Sequence, residues 1–144
     1  MNATVFLDSA YAIALASKKD RFHLRANRPA DQVELENIRL VTTRAVVIEI
    51  GNALAKQGLR SAAVTLLGAL ESDPRVEIVP LSEHLYNKAF ELYAKRKDKE
   101  WGVTDCVSFV VMGERGLTAA LTSDVHFEQA GFRALLREAP PVGI

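Results

Sequence analysis

Four carboxylates stand in this chain where apolar core residues surround them. Asp8 closes the run Thr4-Val5-Phe6-Leu7, and Glu49 lies inside Ala45-Val46-Val47-Ile48-Glu49-Ile50. Asp105 precedes Cys106-Val107-Ser108-Phe109-Val110-Val111-Met112, and Asp124 follows Ala119-Ala120-Leu121-Thr122-Ser123. A lone carboxylate is costly to bury. Several brought together repel and raise one another's pKa. A hard divalent cation, which prefers oxygen ligands, relieves both problems. The pattern therefore points to a Mg²⁺ or Mn²⁺ site and to phosphate chemistry.

The 144 residues suffice for one domain, 1–144, with one sizeable core. Hydrophobic residues make up 49% and charged residues 25%, the balance of a soluble globular protein. No apolar stretch reaches the roughly 18 residues of a membrane span, and no signal peptide is visible at the N-terminus. The single cysteine, Cys106, excludes an intrachain disulfide and favours a reducing, cytoplasmic setting. With a formal net charge of zero, any nucleic-acid contact must come from local basic patches.

Strands alternate with helices along the chain. Residues 5–7, 39–42, 76–79 and 118–122 read as strands, and 132–136 as a short fifth. A helix follows Asp8, with Ser9 near its cap. Residues 18–37 form a polar segment interrupted by Pro29. Thr43 is the expected cap of a helix through Lys56, stopped at Gly58, and 61–71 reads as another helix. Ser82 caps a helix whose apolar stripe is Leu85, Ala89, Leu92 and Tyr93. Thr104 is the expected cap of a helix to about Glu114, terminated by Gly116. Such alternation implies α/β architecture, a mainly parallel sheet of about five strands flanked by helices in three layers. Sites in such folds gather at the carboxyl ends of the strands. Asp8 and Asp124 each follow a strand, and Asp105 opens a helix.

Four segments in order now resemble the PIN domain, most closely the VapC-type toxin ribonucleases. They are Val5-Phe6-Leu7-Asp8-Ser9, the stretch from Thr42 to Leu54 around Glu49, Trp101-Gly102-Val103-Thr104-Asp105-Cys106-Val107-Ser108-Phe109, and the stretch from Leu121 to Phe132 around Asp124. The resemblance covers nearly the whole chain; the segment 18–37 looks longer than in compact members. It implies a Mg²⁺- or Mn²⁺-dependent endoribonuclease leaving 5′-phosphate and 3′-hydroxyl ends. Asp8, Glu49, Asp105 and Asp124 match the family's acidic quartet. It also implies an antitoxin partner and a homodimer, for which Leu66, Leu67 and Leu70 offer apolar surface.

Each residue also has a plainer reading. Asp8 and Asp105 suit helix starts, where carboxylates are favourable, and Glu49 suits an amphipathic helix. Ser9, Thr104 and Ser108 are supporting groups, with Ser108 one turn from Asp105 and able to hydrogen-bond it. The basic run Lys95-Arg96-Lys97-Asp98-Lys99, with Arg44 and His126 and extended by Lys56 and Arg60, is a candidate RNA contact. Its plainer reading is a solvated helix end, and that of His126 is a helix-start histidine. Asp98 reads as a loop residue, Trp101 as packed and Cys106 as core. His23 and His84 show no partner spacing. Two other classes compete: a catalytically silent module on the same fold, and a receiver or phosphoaspartate phosphatase. The latter wants a second aspartate two residues after the first, and Asp8-Ser9-Ala10 has none.

Overall fold

The computed structural model describes residues 3–16 and 38–138. The polar segment 18–37, with the break expected at Pro29, lies outside the described residues. Five strands, β1 (Thr4–Leu7), β2 (Arg39–Thr43), β3 (Val76–Val79), β4 (Ala119–Leu121) and β5 (Arg133–Ala134), form one sheet in the order β3-β2-β1-β4-β5. All four pairings are parallel. The central strand β1 is apolar without alternation, and Val5, Phe6 and Leu7 are all buried. That is the composition of a strand covered on both sides.

The helices are α1 (Ser9–Ala16), α2 (Arg44–Ala53), α3 (Arg60–Ser72), α4 (Glu83–Lys95), α5 (Val103–Arg115) and α6 (Val125–Gln129). A 3₁₀ turn at Leu135–Arg137 follows β5. Thr43 caps α2 by accepting from the Val46 N–H at 3.2 Å, and Ser82 caps α4 through the Leu85 N–H at 3.1 Å. Gly116 ends α5 in the left-handed conformation, φ 66°, which only glycine adopts without strain.

Three expectations are corrected. The α2 helix stops at Ala53 rather than Lys56, because Arg60 turns back and donates to the Ala55 carbonyl at 3.0 and 2.8 Å. The cap of α5 is Gly102, not Thr104: Asp105, three residues on, accepts from the Gly102 N–H at 3.0 Å. On α4, Leu85 and Ala89 are buried and Leu92 is half-buried, but Tyr93 is exposed. It shares the outer face with Tyr86 and Phe90, whose rings lie 6.3 Å apart. Of the leucines on α3, Leu70 is buried and Leu66 and Leu67 pack partly against the core, so they are used within the chain.

The order of the strands creates the site. From β1 the chain crosses outward to β2 and then β3, while β4 and β5 lie on the other side of β1. The carboxyl ends of β1 and β4 thus flank the point where the winding direction reverses, where open α/β sheets form a crevice. Phe127 of α6 holds this edge from beneath. It is fully buried, edge-on to Phe109 at 5.0 Å and 6.2 Å from Phe6 of β1. Phe127→Ala is expected to cost about 3–5 kcal/mol of stability, read as a lower urea midpoint at unchanged slope.

Candidate active site

The last residue before the crevice on β1 is Leu7, and the next is Asp8, only 4% exposed. Its backbone N–H donates to the Leu121 carbonyl at the end of β4, at 3.3 Å. Its carboxylate Oδ2 accepts from the buried Thr122 hydroxyl at 2.6 Å and from the Ala10 N–H at 3.4 Å. Thr122 in turn accepts from the Asp124 N–H at 3.0 Å. One threonine therefore ties the carboxylate at the end of β1 to the aspartate after β4. A second, Thr42, fully buried at the end of β2, donates to the Leu7 carbonyl at 2.7 Å and fixes the other flank.

Glu49 enters from α2, where it is half-buried and accepts from the Ser9 hydroxyl. Asp105 enters from the first turn of α5 and Asp124 from the cap of α6, where it accepts from the His126 N–H at 2.9 Å. The His126 ring joins these two. Its Nδ1 lies 3.2 Å from Asp105 Oδ2 and 3.4 Å from Asp124 Oδ1.

The electrostatics follow from this crowding. Burial pushes the Asp8 carboxyl up to about 7, with the charges of Glu49 and Asp105 adding to the rise and the Thr122 hydrogen bond opposing it. Asp105 is raised too, first by burial and then by Asp124, while the Gly102 N–H and His126 pull it down. Asp8 thus feels the charges of Glu49 and Asp105, and Asp105 that of Asp124. Within the described residues, one ligand atom each from Asp105, Asp124 and His126 lies within 4.8 Å of the others, a spacing that suits a metal ion.

The supporting residues divide. Ser9 bonds Glu49 as a site neighbour should. Ser108 does not reach Asp105; it is buried and donates to the Thr104 carbonyl at 3.2 Å, because a hydroxyl in a helix interior bonds back one turn. Thr104 is half-buried beside Asp105 without capping the helix. Among the basic residues, Arg44 is paired with Glu71, and Arg96 with Asp98 at 2.9 Å while its guanidinium lies 4.9 Å over Trp101. Lys95 and Lys97 are exposed. Asp98 is a loop residue, its carboxyl held down at about 2 by Arg96. Trp101 is packed edge-on against Phe109 and donates to Gln129 at 3.0 Å. Cys106 is core, and burial pushes its thiol up to about 11, which suppresses thiolate chemistry. Thr122 has no role in the sequence reading, although its place between β4 and Asp124 marked it. His126 does sit at a helix start, but its ring faces the carboxylates, which sequence spacing alone does not reveal.

A parallel sheet with converging carboxylates at its switch point defines a class of phosphate-handling α/β domains. The PIN-domain family model matches residues 5–133, and the chain belongs to that family. VapC20 of Mycobacterium tuberculosis, described as a 23S rRNA-specific endonuclease, is 28% identical over 130 residues, 89% of this chain and 95% of that protein. The crystal structure of the same toxin, described as sarcin–ricin loop cleaving, superposes with a TM-score of 0.80 at 25% identity, over 89% of this chain and 95% of that one. DNA-bound VapBC from Salmonella typhimurium shares the fold, with a TM-score of 0.65 at 17% identity over 93% of this chain and 97% of that one. No helix among the described residues is long and apolar enough to cross a membrane.

The raised Asp8 carboxyl has a pH signature. Between its ordinary value of 3.8 and about 7, folded Asp8 keeps a proton that the unfolded chain has released. The folded state then binds more protons, so this contribution to stability is complete at low pH and is lost as pH rises through about 7. In chelator, urea unfolding should show stability declining from pH 5 to 7.5 by at most about 1.4 kcal/mol per pH unit from this group. Asp8→Asn should flatten that decline; an equal slope in the variant would contradict the assignment.

Proposed function

We propose that this protein is a metal-dependent endoribonuclease of the VapC toxin type, with Asp8, Glu49, Asp105 and Asp124 as its acidic site and Mg²⁺ or Mn²⁺ as its cofactor. The observation that carries this reading is the buried Asp8 carboxylate, linked to Glu49 and Asp105 at the switch point of a PIN fold. The donor set fits the cation: it is mainly carboxylate oxygen, the preference of hard divalent ions. Asp8, which the fold by itself holds near protonation, gains a reason to ionise when a cation is near.

When bound, such a cation supplies Lewis acidity that activates water and offsets phosphate charge. The chain supplies orientation. Thr122 holds Asp8, Ser9 holds Glu49, and the Gly102 N–H holds Asp105, so the carboxylates keep their places before substrate arrives. The donors to Asp8 and Glu49 are neutral and leave the negative charge of those carboxylates available. The buried walls from Leu7, Leu121 and Phe127 lower the local dielectric and strengthen each interaction. No protein nucleophile is required, in keeping with the unreactive Cys106.

The substrate in this reading is RNA, and ribosomal RNA carrying a sarcin–ricin loop is the first to test, given what VapC20 is described as cutting. An antitoxin that silences the site, a homodimer and a cytoplasmic setting belong to the same proposal. Lys95 and Lys97, exposed on the approach to α5, are the best placed of the basic run for phosphate contact; Arg44 and Arg96 are already engaged by carboxylates.

Asp8→Asn and Asp105→Asn should each abolish RNA cleavage, by 10²-fold or more on the order of a lost electrostatic stabiliser, with the circular dichroism of the fold retained. Full activity in either folded variant would refute the site; a wild-type protein that binds RNA without cutting it would favour the silent module. Millimolar Mg²⁺ or Mn²⁺ should raise the melting temperature of the wild type, and less so that of Asp8→Asn. Changing Lys95 and Lys97 to glutamine should weaken RNA binding and reduce the slope of log affinity against log salt by up to about 2.

A further inference from the structure

We propose that His126 is a nitrogen ligand to a divalent cation shared with Asp105 and Asp124, and that it biases this position toward a first-row transition ion such as Mn²⁺ over Mg²⁺. The inference rests on the metal-dependent reading above and goes beyond it, because the acidic quartet alone would make an all-oxygen site.

The geometry is convergent. His126 Nδ1 lies 3.2 Å from Asp105 Oδ2 and 3.4 Å from Asp124 Oδ1. Ligands at about 2.1 Å from an octahedral ion stand about 3 Å from their neighbours. The imidazole nitrogen therefore stands at ligand spacing from each carboxylate oxygen, and all three atoms lie within 4.8 Å of one another. The main chain that carries the ring is also held: the His126 backbone N–H donates to Asp124 Oδ1 at 2.9 Å, and the next residue, Phe127, is locked in the core. Two carboxylate oxygens from different elements, α5 and the cap of α6, meet at the same ring atom.

The two sides of the cluster differ chemically. The charged groups that Asp8 feels are the carboxylates Glu49 and Asp105, whereas Asp105 also feels Asp124 and the His126 ring. Asp105 is common to both. Mg²⁺ wants hard oxygen and gains little from imidazole; imidazole suits first-row ions such as Zn²⁺, Fe²⁺ and Ni²⁺, and Mn²⁺, which also accepts oxygen, is the first-row ion on which the nitrogen acts most mildly. The presence of one nitrogen on the Asp124 side therefore discriminates between ions that the Asp8 side would accept alike.

The test is spectroscopic. The full-length, metal-free protein is loaded with one equivalent of Mn²⁺ and read by pulsed electron paramagnetic resonance. The wild type should show modulation from a directly bound ¹⁴N. The chain has three histidines, so His126→Gln should lose this modulation and His84→Gln, altered at an exposed helix position, should keep it. In calorimetry, His126→Asp, which replaces the nitrogen by an oxygen ligand, should lower the ratio of Mn²⁺ to Mg²⁺ affinity, and it serves in place of His126→Gln should that variant not fold. Bound Mn²⁺ without nitrogen modulation, or modulation that survives in a folded His126 variant, would overturn the proposal and leave the metal site standing. A wild type that takes up no Mn²⁺ at millimolar concentration would overturn both.

Discussion

The carboxylate of Asp8 is buried at the end of the central strand, and the rest of the site is arranged around that cost. A charge in such a position is unfavourable unless something answers it. The chain answers with a hydroxyl, not with an arginine or lysine: Thr122 donates at 2.6 Å. The contrast with the surface is clear. There Glu77 meets Arg115, Glu114 meets Lys88 and Glu138 meets Arg133. Cationic partners lower those carboxyls and neutralise them. In the crevice, Asp8 and Glu49 are held by neutral donors, the Thr122 and Ser9 hydroxyls, rather than by cationic side chains.

The topology makes that arrangement rigid. The carboxyl ends of β1 and β4 are neighbours in the sheet but more than a hundred residues apart in sequence, and the Thr122 hydroxyl joins them by donating to Asp8 while it accepts from the Asp124 N–H. Phe127 then anchors α6 to β1 and α5 through aromatic contacts. The groups that face the crevice are thus set by elements whose other faces are core. Small displacements are resisted because close-packed interiors do not deform continuously. A metal-binding reading needs this, since ligand atoms misplaced by an ångström weaken both affinity and chemistry.

Much of this was legible in the residues. The apolar runs at 5–7 and 39–42, the caps Thr43 and Ser82 and the terminator Gly116 are local signals, and local physics decides them. The acidic residues were legible because each interrupts an apolar pattern. What spacing did not reveal is long-range or rotameric. Ser108 shares a face with Asp105, yet its hydroxyl bonds back to Thr104. Arg44 is close in sequence to Glu49, yet its guanidinium goes to Glu71 on α3. Tyr93 fits the apolar stripe of α4 by count, but that stripe turns outward before it reaches Tyr93. Thr122 and the ring of His126 gain their meaning only when β4 is laid beside β1 and α6 against α5.

Asp105 shows why a capping role and a site role reinforce each other. Its carboxylate accepts from the Gly102 N–H at 3.0 Å, one of the donors that a helix start leaves unpaired. That bond favours the charged form and sets against the burial and the Asp124 charge that raise the carboxyl. The Gly102 N–H therefore opposes the rise at Asp105, as the Thr122 hydroxyl opposes it at Asp8, which burial still pushes up to about 7. A sequence optimised for stability alone would place an apolar residue or an amide at position 8; under the proposed function, the aspartate there is stability given up for chemistry.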